Sequence, residues 1–584
     1  MQLIEEGEHS SEKIVPLQDR SGGLRVYLLL SAATILCLIP FSGRAFHLDD
    51  TLFVWVAKQI VSHPLNPYGF PIIWEAHQQS VSDITQNPPL ASYYAALLGR
   101  TFGWSEWTLH LGFLLPAVAL TLGTYRLAQK LTSSAQLAAW ATLLTPGFLI
   151  SACSVMCDVM MLAFWVWAAF LWIEGLEESK LLLLIASASL IALCALTKYF
   201  GIALVPLLFV YAIAKQRRIG AWALCMLIPI ATLLAYQLWT RHLYGHGLLS
   251  GAAGYAIHKR DFGRNFWAVT LLYGIDFIGG CALPGLIAGF FLLPRKHVWI
   301  GSILAFMASV SLMIGAVDLE GHFDNAFVRP ARGEHWMLIG TELTLCLAGG
   351  FFALSLAWLD CWEIRNSESL LLALWLGGTL IFATFVNWTL NARSILPLVP
   401  AVGILLARRF ERIPWPSRRA LRPKLAAALV VSGAISIWLA AADSELGDSA
   451  RFAANMIAAR FQRPGDVLWF GGHWGFQYYM EGLGARPVDW DHSQFGPDQY
   501  VVIPHNNTWA RTIYPRYIAS EDSVTVPIHA WATTISWQLG AGFYDSFWGP
   551  MPFAFGPVPA EKYTIVRLAP NVSGIPLSEV RPDR

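Results

Sequence analysis

The sequence predicts a polytopic α-helical membrane protein of about thirteen transmembrane helices, with a soluble α/β domain at its C-terminal end. Three observations predict the helical membrane part and the domain that follows it. Hydrophobic residues make up 55% of the 584 and charged ones only 14%, with a mean hydropathy of +0.48, which is too apolar for a soluble enzyme of this length. Apolar runs close to the length of a bilayer crossing, about 17–25 residues, recur from residue 26 onward. After residue 443 these runs stop and shorter segments of strand character take their place.

In order, the runs lie near 26–43, 107–127, 133–152, 159–176, 180–197, 199–214, 219–240, 268–293, 298–316, 337–358, 369–388, 392–408 and 425–443. The polar stretch 1–25 is long, and no small-residue cleavage site follows the first apolar core, so the first run reads as a retained span after a cytoplasmic tail. With the N-terminus inside, the inner connections collect Arg126, Lys130, Lys180, Lys215, Arg217, Arg218, Arg295, Lys296 and Arg365, then the dense group Arg408, Arg409, Arg412, Arg418, Arg419, Arg422 and Lys424. That asymmetry sets the orientation. Residues 88–105 are apolar and helical but short, and with Trp104 and Trp107 they read as an interfacial helix on the outer side.

The chain thus divides into a membrane domain, 26–443, with outer loops 44–106, 241–267 and 317–336, and an extracytoplasmic domain, 444–584. In the latter, DSARFAANMIAARF (448–461) has helical spacing with an Asp or Ser cap. The segments 465–472, 499–504 and 562–568 read as strands. A net charge of +1 excludes the basic excess a nucleic-acid partner requires. The eight cysteines show no CxxC spacing, so neither a zinc ribbon nor a disulfide framework is expected; Cys153 and Cys157 read as packing residues.

Ionisable groups gather on the outer face. Asp49 and Asp50, in AFHLDDTLFVW, follow the first span directly. Such acids cap the helix they begin, or serve as a general base whose pKa burial at the interface raises, and the two roles divide readily between neighbours. Asp158, in CSVMCDVMMLAFW, stands at the mouth of an apolar span, where an acid is either a functional group or an interfacial cap. Lys198 and Arg393 stand at outer span ends. Snorkelling explains any such cation, yet positive charge is disfavoured there, and an anionic phosphate is a natural partner for both. The second loop adds Arg241, His242, His246, His258, Lys259, Arg260 and Arg264. His47, His63, Glu75, His77 and Asp83 show no tight ligand spacing, so they read as loop residues and a divalent metal stays open.

Five segments, in order, resemble the GT-C membrane glycosyltransferases, in the branch of the protein O-mannosyltransferases and lipid A aminoarabinose transferases. HLDDTLFVWVAKQI is similar to that family's first-loop acidic motif, and NPPLASYYAALLGRTFGWSEW to its Lys-Pro-Pro-Leu segment. SVMCDVMMLAFW resembles the span entry with a second Asp, LTKYFG the Thr-Lys-Gly segment, and ARSILPLVP the Arg-Tyr-x-Leu-Pro segment. Departures are Asp50 in place of the usual Glu, and Gln86 and Asn87 where the lipid A enzymes have Glu and Lys.

The resemblance implies a polyprenyl phosphate sugar as donor, a hydroxyl of a protein, lipid or glycan as acceptor, and an inverting single displacement. It implies catalytic roles for Asp49, Asp50 and Asp158, with Asp49 as base, Asp50 capping the helix and orienting the site, and Asp158 holding either the attacking group or one of the cations. It places Lys198, Arg393, His258, Arg260 and Asn87 around the donor phosphate. A transporter, whose charges would cluster at the membrane midplane, and a non-catalytic envelope assembly protein are the alternatives.

Overall fold

The computed structural model describes residues 20–572 other than 86, 259–265, 314–334, 464 and 509–510. Among these residues, nine helices are long and apolar enough to cross a membrane. Two further spans are broken: Ala135–Leu143 with Pro146–Ala152 is bent by 59°, and Trp267–Cys281 with Leu283–Leu292 by 84°. Each break precedes a proline, Pro146 or Pro284, whose missing N–H cannot continue the ladder. Leu181–Thr197 is apolar but shorter, and the run near 392–408 is divided into Ala392–Ile395, Leu396–Leu398 and Val399–Glu411 around Pro397. Each predicted run therefore coincides with a helix or a broken helix.

Large side chains such as Leu28, Leu36, Leu182, Leu234, Trp299, Phe306 and Val430 remain exposed on the helices, as lipid-facing positions require. Helix Leu90–Phe102 has 13 residues and so spans about 20 Å, short of the ~30 Å hydrocarbon core; it packs against helix Asp50–Ser62.

The bundle's two ends differ in charge. One carries short ion pairs between helix termini: Lys215 with Glu368 (2.6 Å), Arg408 with Asp360 (3.0 Å) and Arg412 with Glu363 (2.6 Å). Helix Asp158–Glu177 reaches that end through Glu177, 3.3 Å from Lys130, and carries Asp158 at the other.

Glycines permit the closest helix approach. A Cβ at Gly279 would lie 1.7 Å from the Cys346 carbonyl oxygen, and one at Gly350 would lie 1.9 Å from that of Ile275. Small residues at such crossings let backbones touch. Gly279→Val is expected to lower stability by about 1–3 kcal/mol, as overpacking does, read as a lower thermal unfolding midpoint in detergent.

Helix Trp415–Phe461 runs 47 residues without a break, through residue 443. The helix start predicted at 448 is therefore not a start. Asp448 lies mid-helix, where its carboxylate accepts from Ala45 N at 2.8 Å and Arg451 Nη2 at 2.7 Å. The polar stretch looked like a terminus because its partners are distant in sequence. Beyond the helix, a five-stranded mixed sheet has the order Arg486–Pro487, Leu468–Phe470, Tyr500–Pro504, Glu561–Leu568, Ile518–Val526. Three of these are the predicted strands. Ile518–Val526, IASEDSVTV, lacks an apolar run because it is an edge strand with much of its length exposed. Residues between Ala532 and Ala554, including Phe543, Tyr544 and Trp548, join the same hydrophobic core as the helical bundle.

Candidate active site

Helix Asp50–Ser62 begins after Leu48, whose φ of +48° puts a bulky side chain in the left-handed region, a strained conformation the surroundings must hold. Neither acid caps the helix as expected. Asp49 stands at the N-cap without a side-chain cap bond. Asp50, fully buried, accepts from His47 N at 3.0 Å and from Val155 N at 2.9 Å. Those two bonds pin the first loop to the segment that leads into Asp158.

Burial pushes the Asp50 carboxyl up to about 6, against the pull of Arg44 and the two backbone donors. A carboxyl whose folded pKa lies above its unfolded one loses stability as pH rises from the unfolded value to the folded one. Parent stability is therefore expected to fall between about pH 4 and 6 relative to Asp50→Asn, and thermal unfolding across that range checks it. Burial holds His47 neutral, with its pKa lowered to about 4.

Asp49 points the other way. Its Oδ2 lies 3.0 Å from Arg393 Nη1, with a third of its side chain exposed. Asp158 opens helix Asp158–Glu177, and its Oδ1 lies 2.6 Å from Lys198 Nζ. The Arg393 guanidinium also lies in the field of Asp158, touches Met156 Sδ and faces the Tyr544 ring at 5.6 Å. Two carboxylates and two cations thus converge from four separate segments. Lys198 and Arg393 are not isolated cations: each has a carboxylate partner, which balances the charge of the site before any anion arrives.

The other predicted residues lie elsewhere or outside the described part. His258 ends helix Leu248–His258, but its side chain is not among the described residues, nor is Arg260. Asn87 joins a tyrosine group: its carbonyl accepts from the Tyr68 hydroxyl at 2.8 Å, and Tyr68 N donates to the Tyr244 hydroxyl at 3.2 Å. Among the described residues, no group of three or more His, Cys, Asp or Glu is placed to hold a metal ion, and the cysteines are free.

Sequence reasoning missed residues behind and beside the cluster. Arg44 Nη1 lies 2.8 Å from Asp443 Oδ2, both side chains buried. Asp443 also accepts from the Thr534 hydroxyl at 2.6 Å and the Tyr544 hydroxyl at 2.9 Å. Asp545 accepts from the Thr389 hydroxyl, and burial raises its pKa. Arg44 directly after the first apolar run and Asp443 at the end of the last were visible as charges at span ends. Their pairing, like the place of Tyr544, had no local signal.

Residues 86–244 match the family model described as dolichyl-phosphate-mannose-protein mannosyltransferase. The chain resembles the GT-C membrane glycosyltransferases. The matched segment holds Asn87, Asp158 and Lys198 and leaves Asp49, Asp50, His258, Arg260 and Arg393 outside it. Among solved structures of glycosyltransferases, the chain is similar to ArnT from Cupriavidus metallidurans in the apo state, at 13% identity over 95% of this chain and 99% of that one, with a TM-score of 0.49. The same enzyme bound to undecaprenyl phosphate gives 14% identity over 83% and 94%, with a TM-score of 0.47. An Archaeoglobus fulgidus oligosaccharyltransferase tethered to an acceptor peptide gives 12% over 83% and 69%, with a TM-score of 0.49. No curated protein sequence matches.

Proposed function

We propose that this protein is an integral membrane glycosyltransferase that moves a hexosyl or pentosyl group from a polyprenyl phosphate to an acceptor hydroxyl at the extracytoplasmic face of the plasma membrane. The observation that carries the reading is the convergence of Asp49, Arg393, Asp158 and Lys198 at the end of the bundle opposite its basic anchors. A transporter would instead need its charged site near the midplane on broken helices.

In this reading the donor phosphate competes with the two carboxylates for Lys198 and Arg393. As the phosphate takes Arg393, Asp49 is released from its ion pair and becomes a free base. Asp49 then accepts the proton of the acceptor hydroxyl while that oxygen attacks the anomeric carbon from the face opposite the phosphate. The bond from the anomeric carbon to the phosphate oxygen breaks, polyprenyl phosphate leaves with the electron pair, and configuration inverts. Lys198 and Arg393 neutralise the charge that grows on the leaving oxygen, at a site where preorganised cations act most strongly. Asp158 holds Lys198 in place. The acceptor, whether protein, lipid or glycan, enters beside Asp49.

The test is transfer of labelled sugar from a panel of polyprenyl phosphate sugars by the purified protein in liposomes supplied with envelope acceptors, with the product's anomeric configuration determined by NMR. Transfer with inversion is expected. Transfer with retention contradicts the mechanism, and no transfer from any donor contradicts the class. Lys198→Ala is expected to lower transfer by about 10²-fold, the scale of a lost electrostatic contact at a reacting centre, in the same assay.

A further inference from the structure

We infer that the C-terminal region completes the catalytic site: the segment Phe543–Ser546 clamps the Arg393 segment, and Tyr544 is a positioning residue for the Arg393 guanidinium. This rests on the function proposed above and assigns a role there to a part of the chain that no motif marked.

Three contacts make the clamp. Ala392 N donates to the Phe543 carbonyl and Ser546 N to the Leu390 carbonyl, both at 2.8 Å, so residues 543–546 run beside 390–392 as a short ladder. Thr389 Oγ1 donates to the Asp545 carboxylate. Between these bonds the Tyr544 ring faces the Arg393 guanidinium at 5.6 Å, within the range at which an aromatic face attracts a cation, and more strongly where water is excluded.

Tyr544 is itself fixed from behind. Its hydroxyl donates to Asp443 Oδ2 at 2.9 Å, and Asp443 is held by Arg44 at 2.8 Å and by Thr534 at 2.6 Å. His47 packs edge-on to the same ring at 5.6 Å. The long helix, the first loop and the C-terminal region thus meet on one tyrosine. Arg393 needs such support, because its Nε has no hydrogen-bond partner and Asp49 is half of a pair that the reaction must open. With the ring behind it, the guanidinium stays aimed into the site when Asp49 lets go.

The experiment compares the parent with Tyr544→Leu, Tyr544→Phe and Arg393→Ala, all as full chains in lipid nanodiscs. Two readouts are taken: the affinity for undecaprenyl phosphate, and the kcat and KM for transfer from the best donor of the panel. Thermal unfolding is followed alongside. Tyr544→Leu is expected to weaken undecaprenyl phosphate binding and kcat/KM by about tenfold, between the scales of an exposed and a desolvated cation–π contact. Tyr544→Phe, which keeps the ring, restores both to within about threefold. If Tyr544→Leu does not fold, Tyr544→Met, nearer in volume, takes its place.

A leucine variant equal to the parent, beside an Arg393→Ala that has lost binding, overturns the positioning role and leaves the proposed function standing. A parent that binds undecaprenyl phosphate no better than Arg393→Ala removes the phosphate site itself, and this inference with it. A loss in Tyr544→Leu that phenylalanine does not restore assigns the effect to the hydroxyl's bond to Asp443 and also overturns the role of the ring.

Discussion

Asp49→Asn is expected to lower kcat for sugar transfer by about 10²–10⁴-fold, the range that general-base catalysis supplies, and to lower rather than raise donor KM, since the neutral amide no longer competes with the donor phosphate for Arg393. The side chain is a third exposed at the convergence of charges and reaches Arg393 at 3.0 Å, so the amide fits without disturbing the helix, which Asp49 does not cap by its side chain. What the amide cannot do is take a proton. Asp50→Asn is expected to behave differently, because Asp50 is buried and committed to two backbone donors; its loss shows first in stability and its pH profile. Steady-state kinetics on both variants in liposomes separate the base, Asp49, from Asp50, which holds the first loop in place.

Asp443→Ala is expected to cost about 3–5 kcal/mol of stability, the scale of breaking a buried pair and leaving one charge uncompensated. Arg44 is completely buried beside it, and two of its nitrogens, Nε and Nη2, have no hydrogen-bond partner, so Asp443 at 2.8 Å is its principal compensation. The same change frees the Tyr544 hydroxyl and the Thr534 hydroxyl. Replacing both charges together, Arg44→Met with Asp443→Leu, is expected to recover most of the loss, since a buried ion pair contributes little beyond an apolar pair of similar volume. Unfolding midpoints of the two single variants and the double variant measure the coupling directly.

The helical membrane part was legible because a span is a local property: length and apolarity identify it with no knowledge of its neighbours. The breaks at Pro146 and Pro284 were as local, and a closer reading of those prolines would have found them. The long helix through 443 was not legible, because the polar residues that looked like a terminus are satisfied by partners about 400 positions away, as Asp448 is by Ala45. For the site, Asp49, Asp158, Lys198 and Arg393 stood out as charges where charge is disfavoured. Which acid meets which cation did not: a cation for Asp158 is one of two expectations for that acid, but the partner is not named by any local signal, and the Asp49–Arg393 pair joins residues more than 340 positions apart. Tyr544 and Asp545 carry no motif, and only the folded chain brings them to residues 389–393.

The measurement that bears most directly on the account is donor consumption by the parent beside Asp49→Asn, in the same liposomes, with the polyprenyl phosphate sugar panel and envelope acceptors. Consumption by the parent and its near-absence in the variant is the predicted result. Equal consumption by both would contradict the assignment of the base at Asp49, and consumption by neither, with the fold verified and the donors accepted by a known transferase, would contradict the glycosyltransferase reading as a whole.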